Sequence, residues 1–346
     1  MSTSSRFLGR VIPALLLGLL LLTSCTMLPA GRRAVVVYTS VDRVFSEPIL
    51  DAFEAETGIE VLPVYDVEAA KTTGLMNRLI AEKDRPKADV FWSGEFAMTI
   101  TLQDEGVLAP YRSDQCADIP AVFVDPEYHW IGFAGRARVL IVNTDEVPPD
   151  RFPRSIDDLL DPAWPADRVG IAYPMFGTTA TQAAALYADL GPEAARDYFQ
   201  GLVDRGVRVV DGNSVVRDMV AAGQLAFGLT DTDDACSAVE RGDPVAIVFP
   251  DQGEGDLGTL VIPNTVALVA GGPNPEQGRA FIDYLVSVET EQRLVDSGWS
   301  HVPVRPLESG PACIDASNVR AMDVALGQVY RELARSQVEL GEMFVR

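Results

Sequence analysis

The segment Thr230-Asp231-Thr232-Asp233-Asp234 places three carboxylates directly after an apolar run at 225–229. Carboxylates this close repel one another and favour a cation beside them. At a strand end they could ligate a hard metal ion or meet a protonated amine. They could equally cap and solvate the first turn of a helix. Gly177-Thr178-Thr179-Ala180-Thr181 offers the opposite chemistry. A glycine lets a ligand approach the backbone, and the free N–H groups of a helix start favour an anion. Simple capping by Thr178 or Thr179 uses the same geometry. Asn213-Ser214 opens a further helix-type stretch in the same way.

Three loops in the first part of the chain carry comparable groups. Thr39-Ser40-Val41-Asp42-Arg43 follows a β-type run; Ser40 and Asp42 could hold an anion or cap a helix. Lys71-Thr72-Thr73-Gly74 could present Thr72 and Thr73 to a ligand, or be a solvated helix turn. Trp92-Ser93-Gly94-Glu95 ends an apolar strand: Trp92 could wall a ligand and Glu95 meet a cation, or both could serve core and helix start. The acidic loop Pro250-Asp251-Gln252-Gly253-Glu254-Gly255 reads as a surface turn that could rim a cleft. Catalytic machinery is sparse. The chain has two histidines, His129 and His301, and contains no G-x-S-x-G, HExxH or GxxxxGK[ST] motif. It therefore reads as a binding protein and not an enzyme, with an exported hydrolase as the alternative class.

These loops need strands and helices to position them. Residues 34–39 (AVVVYT) form a run suited to a strand buried on both faces. A helix over 45–56, a strand over 59–65, a helix over 69–83, a strand over 88–92 and a helix over 95–104 follow. This alternation implies a parallel sheet covered by helices, whose ligands gather at the strand ends. Strands at 139–143, 169–172, 207–210, 225–229 and 246–249, with helices at 179–190 and 214–222, make a second α/β unit. Strands at 259–261 and 266–269 come late, and the tail is helical over 275–286, 288–297 and 316–341. The expected fold is α/β with two lobes and a ligand cleft between them. Lobe 1 is discontinuous, residues 34–140 plus 265–346; lobe 2 is residues 141–264. A closing hinge would lie in the crossovers.

The chain has 346 residues and a formal net charge of -22, which argues against nucleic acid as a partner. Its start, with Arg6 and Arg10 before the apolar run 11–22, reads as a signal peptide over 1–24, too short to span a membrane. Leu22-Thr23-Ser24-Cys25 resembles the bacterial lipobox, which implies lipidation at Cys25, a tether over 25–33 and membrane anchoring through the lipid. Of the remaining cysteines, Cys116 and Cys313 stand in similar Pro-flanked polar loops and are the expected disulfide. Cys236 reads as a small buried apolar residue.

VVVYTSVDRVFSEPILDAFEAETGIEV, ADVFWSGE, GVLAPY, YPMFGTTATQ, DGNSVVRDMVAAGQLAFGLTDTDDA and GTLVIPNTVALVAGGPNPEQGRAFIDYLVS span most of the chain. Together they resemble the extracellular solute-binding proteins of bacterial ABC importers, in the subgroup for ferric iron, phosphonates, thiamine and polyamines. The resemblance implies a periplasmic or cell-surface monomer that closes its lobes on a small solute and delivers it to a permease and ATPase complex. A sensor lipoprotein would use the same cleft. No cofactor is implied; Fe3+ with a co-bound anion would be the transported ligand, with a phosphonate or other amine-bearing anion as the alternative. The adjacent tyrosines that ligate iron in ferric relatives are absent, and the histidine ligand of some relatives aligns with Asp42. The glutamate ligand aligns near Glu95. An oxygen-only metal set would therefore be Asp42, Glu95, Asp231 and Asp233.

Overall fold

The computed structural model describes residues 33–65 and 74–344. The signal, Cys25, most of the tether, and Thr72 and Thr73 lie outside the described residues. Strand β1 (Ala34–Thr39) pairs in parallel with β2 (Glu60–Tyr65) and β3 (Val90–Ser93). Helix α1 (Arg43–Thr57) buries Ile49, Leu50 and Phe53 and ends at Gly58, whose φ of 66° suits a residue without Cβ. Helices α2 (Gly74–Ala81) and α3 (Ala97–Asp104) and the short strand β4 (Leu108–Ala109) complete this stretch.

Strand β5 (Ile131–Asn143) is the joint of the molecule. Its first half runs antiparallel to β10 (Val261–Val269). Its second half runs antiparallel to β8 (Phe227–Asp231) and β9 (Val245–Val248). The bonded order β2-β1-β3-β10-β5-β8-β6-β7 therefore has two halves that share one strand. Beyond β8 lie β6 (Val169–Ala172) and β7 (Arg208–Val210) in parallel array. Helices α4 (Gly177–Leu190), α5 (Pro192–Arg205), α6 (Asn213–Ala221) and α7 (Thr232–Arg241) cover this half. The chain then returns: β10 inserts between β3 and β5, so the first lobe is built from two separate stretches of sequence. Helices α8 (Pro275–Leu285), α9 (Val288–Asp296) and α10 (Leu326–Met343) follow.

Four features differ from the sequence expectation. β5 begins at Ile131, before the expected 139–143, because Gly132, Gly135, Arg136 and Arg138 break its apolar pattern without breaking the strand. The expected strands at 259–261 and 266–269 merge into β10 across a register shift at Pro263/Asn264. α10 starts at Leu326 and lies along α4 and α5 of the second half, where Tyr187 donates to Glu339 at 3.0 Å and Tyr173 to the Phe344 carbonyl at 3.1 Å. Residues 265–346 thus do not all pack with the first half. The disulfide joins Cys236 and Cys313, which corrects the expected Cys116–Cys313 pair. Cys116 is a buried free thiol that donates to the Ser113 carbonyl at 2.9 Å.

Candidate functional site

The last residue of β8, Asp231, sits opposite Arg138 in the antiparallel register with β5. Cross-strand partners on one face meet directly, and here they form an ion pair of 2.7 Å. Arg138 is fully buried and Asp231 is 4% exposed. Three helix starts close around the pair. From α4, the Thr178 hydroxyl donates to Asp231 Oδ2 at 2.6 Å and accepts from Arg138 Nη1 at 3.1 Å. From α6, Asn213 Oδ1 accepts from Arg138 at 3.0 Å while its Nδ2 donates to Asp231 at 2.9 Å. Thr179 donates to Asn213 Oδ1 at 3.3 Å and accepts from Arg138 Nη2 at 3.4 Å. From α7, the Thr232 hydroxyl accepts the Ala137 N–H at 3.1 Å. These bonds offset part of the cost of burying the pair, although Arg138 Nε stays buried without a partner.

Arg136 stands two residues earlier on the same face of β5. Its Nη1 lies 3.5 Å from Asp233, and its Nη2 donates to the Gly94 carbonyl at 2.8 Å. Gly94 N–H donates to the Ser40 hydroxyl at 3.1 Å, and that hydroxyl lies 3.3 Å from Ser93 Oγ. Arg136 therefore joins the loop ends of β1 and β3 to the start of α7. Trp299 lies over Gly94, where an added Cβ would be 3.5 Å from its ring, and it packs on Phe45 with centroids 4.9 Å apart.

The third aspartate turns away. Asp234 pairs with Arg217 of α6 at 3.0 Å. Burial, followed by the charges of Asp233 and Asp231, nevertheless pushes its carboxyl up to about 6, and Arg217 and Arg138 only partly oppose this. Each carboxylate of the Asp cluster thus has its own arginine. The cation that the cluster was expected to favour is supplied from within the chain, by Arg138, Arg136 and Arg217.

Sequence reasoning gathers Thr178, Thr179, Asn213 and Asp231, and the structure brings these together. Gly177 opens α4 with φ of 54° and open space around it, so its backbone is accessible. Ser40 joins through Gly94 and Arg136. Trp92 is a correction: it is fully buried beside Phe133 and cannot wall a ligand in this conformation. Glu95 accepts the Ala97 and Met98 N–H groups at 2.8 and 3.1 Å, holding the start of α3, and burial raises its carboxyl above the ordinary range. Asp42 provides the backbone N-cap of α1 through its carbonyl. No three of Asp42, Glu95, Asp231 and Asp233 gather around one point among the described residues, so that four-carboxylate metal set is not assembled. The reason is physical: Asp231 and Glu95 are already committed to other donors. Arg136, Arg138 and Trp299 are the functional candidates that the sequence reading passed over. Their one signal is the pair of arginines at alternate positions in GRARVL, which share a strand face.

Two half-sheets share one strand, and polar loop ends from both meet at Arg136. The family described as bacterial extracellular solute-binding protein matches residues 38–292. The chain belongs to that family. Among curated relatives, iron uptake protein A1 of Synechocystis is 27% identical over 283 residues, 79% of this chain and 76% of that protein. The major ferric iron-binding protein of Neisseria meningitidis serogroup B is 26% identical over 277 residues, 79% of this chain and 81% of that protein. A solved Trichodesmium protein, IdiA or FutA in complex with iron and citrate, superposes with a TM-score of 0.80 at 23% identity. That match covers 90% of this chain and 100% of the other. This solute-binding protein accordingly has the two-lobe α/β fold with a cleft between lobes, and it is a binding protein, not an enzyme.

Proposed function

We propose that this solute-binding protein is the receptor of an ABC importer and that its solute is ferric iron carried together with an oxyanion. The carrying observation is the one-to-one match of aspartates and arginines at the β8–α7 turn. A trivalent iron ion is hard and takes oxygen ligands. Asp231, Asp234 and Glu95 are already engaged, and of these four carboxylates Asp233 is the one that keeps a buried oxygen, Oδ1, without a hydrogen-bond partner. The iron must then bring most of its oxygen ligands with it. A chelating anion suits the rest of the site: the Arg136 guanidinium, the Ser40 hydroxyl and the start of α4 at Gly177. The iron-named relatives support the metal, and the iron–citrate complex of the Trichodesmium protein supports the pair.

Lobe closure about β5 buries the complex and presents the closed face to permease and ATPase. A lipid on Cys25 holds the monomer beside them on the outer side of the membrane. Native mass spectrometry of protein purified without added ligand tests the reading. With ferric iron alone, ferric citrate and an aminoalkyl phosphonate as probes, a one-to-one ferric citrate adduct is expected at the lowest concentration. An iron-free phosphonate adduct at lower concentration would replace iron by the amine-bearing anion. Binding of none of the three would overturn both.

A further inference from the structure

The disulfide has a third member. One ring nitrogen of His301 and the sulfurs of Cys236 and Cys313 lie within 4.8 Å of one another. His301 is 5% exposed, and its Nδ1 is buried without a hydrogen-bond partner. An orphaned buried nitrogen is costly and calls for an explanation. The backbone that carries the imidazole is held on β5: the His301 main-chain N–H donates to the Gly135 carbonyl at 3.1 Å, and Ser300 Oγ donates to the same carbonyl at 3.0 Å. Cys236 is fixed on α7 and buried, whereas Cys313 is half-buried in a loop and gives access from solvent.

We propose that Cys236, Cys313 and His301 form a binding site for a thiophilic d10 metal ion such as Zn2+ when the disulfide is open. Two thiolates and an imidazole are a common zinc set, with bonds of about 2.3 Å to sulfur and about 2.1 Å to nitrogen, and a fourth position left to water. Ligand atoms already within 4.8 Å of one another need only a small contraction around the ion once the S–S bond is gone. Burial lowers the His301 pKa, which keeps its lone pair free; the charges of Asp233 and Glu240 act in the other direction, and that of Arg136 acts with burial. The chemistry balances. A dithiol or phosphine reductant gives two electrons to the disulfide and is itself oxidised, and the two sulfurs take up two protons. Metal binding then displaces both protons to solvent. A small-molecule disulfide oxidant reverses the sequence: it takes the two electrons, and two protons from solvent, to become two thiols, the S–S bond of Cys236 and Cys313 re-forms, and the ion is released.

The probe is Zn2+ alone, added to the full protein before and after reduction with a phosphine and followed by native mass spectrometry. One zinc per reduced chain and none on the oxidised chain is expected. Cys116→Ser should keep the zinc and Cys313→Ser should lose it. His301→Gln leaves the disulfide able to form during folding, so reduction affects it and the parent alike; with circular dichroism showing both reduced forms folded, it should bind zinc at least about tenfold more weakly. With Co2+ in place of zinc, a thiolate-to-metal absorption band should appear only after reduction. A reduced protein that takes up no zinc, or a His301→Gln variant that binds it as tightly as the parent, would overturn the proposal. Neither result bears on the ferric reading, since the solute site holds none of these three side chains.

Discussion

Arg138 is held inside the fold by Asp231 and by Thr178, Thr179 and Asn213, which accept from its two terminal nitrogens, while its Nε stays buried without a partner. Asp231→Asn would leave that guanidinium buried beside a neutral amide, at a cost of about 3 to 5 kcal/mol. Urea unfolding should show a loss of this size. Asp233 is different: its side chain is 44% exposed and 3.5 Å from Arg136, so Asp233→Asn should change stability by less than about 1 kcal/mol. Its ferric citrate affinity should nevertheless fall more than about tenfold, or 1.4 kcal/mol. Equal effects of the two changes on stability would contradict this division of roles.

Asp234 supplies a pH test. Its folded carboxyl titrates near 6, above the 3.8 of an ordinary aspartate. A raised carboxylate pKa is a penalty when the group is charged, present above pH 6 and relieved as pH falls toward about 4. Measured against Asp234→Asn, the parent protein should therefore gain stability across that window as the pH is lowered. A difference that stays constant with pH would contradict the account. The aspartates themselves were legible from their spacing. Their arginine partners were not, because Arg138 and Asp231 stand 93 positions apart and meet only through the register of β5 on β8.

Among the elements, α4 carries the anion part of the proposed site. Its first residue, Gly177, has φ of 54°, a conformation that costs a residue with Cβ about 1 kcal/mol even with open space around it. Gly177→Ala should lower stability by about that amount and weaken ferric citrate binding, because Thr178 and the N–H groups behind it shift. Chemical denaturation and a binding titration of the same variant check both effects; an unchanged midpoint would show that the turn is not strained. Helix starts such as 177–181 are visible in sequence because glycine and hydroxyl residues announce them. The early part of β5 is hidden by its glycines and arginines. α5 was missed although Pro192 opens it and Gly206 closes it, since it touches no motif in the site.

At the scale of the molecule, the late return of β10 to the first half was legible from the apolar run 266–269, and it is what makes the first lobe discontinuous. The docking of α10 on α4 and α5 was not, because an amphipathic helix names a face to bury and not its partner. The Cys236–Cys313 link closes a long loop, with a separation of 77 residues, and on chain-entropy grounds contributes about 4 kcal/mol. In the proposed function, the two half-sheets joined at β5 close on a ferric iron–oxyanion complex. Small-angle scattering of the full protein with and without saturating ferric citrate tests it most directly. The account predicts a smaller radius of gyration with ferric citrate than with citrate alone; superimposable profiles at saturation would contradict it.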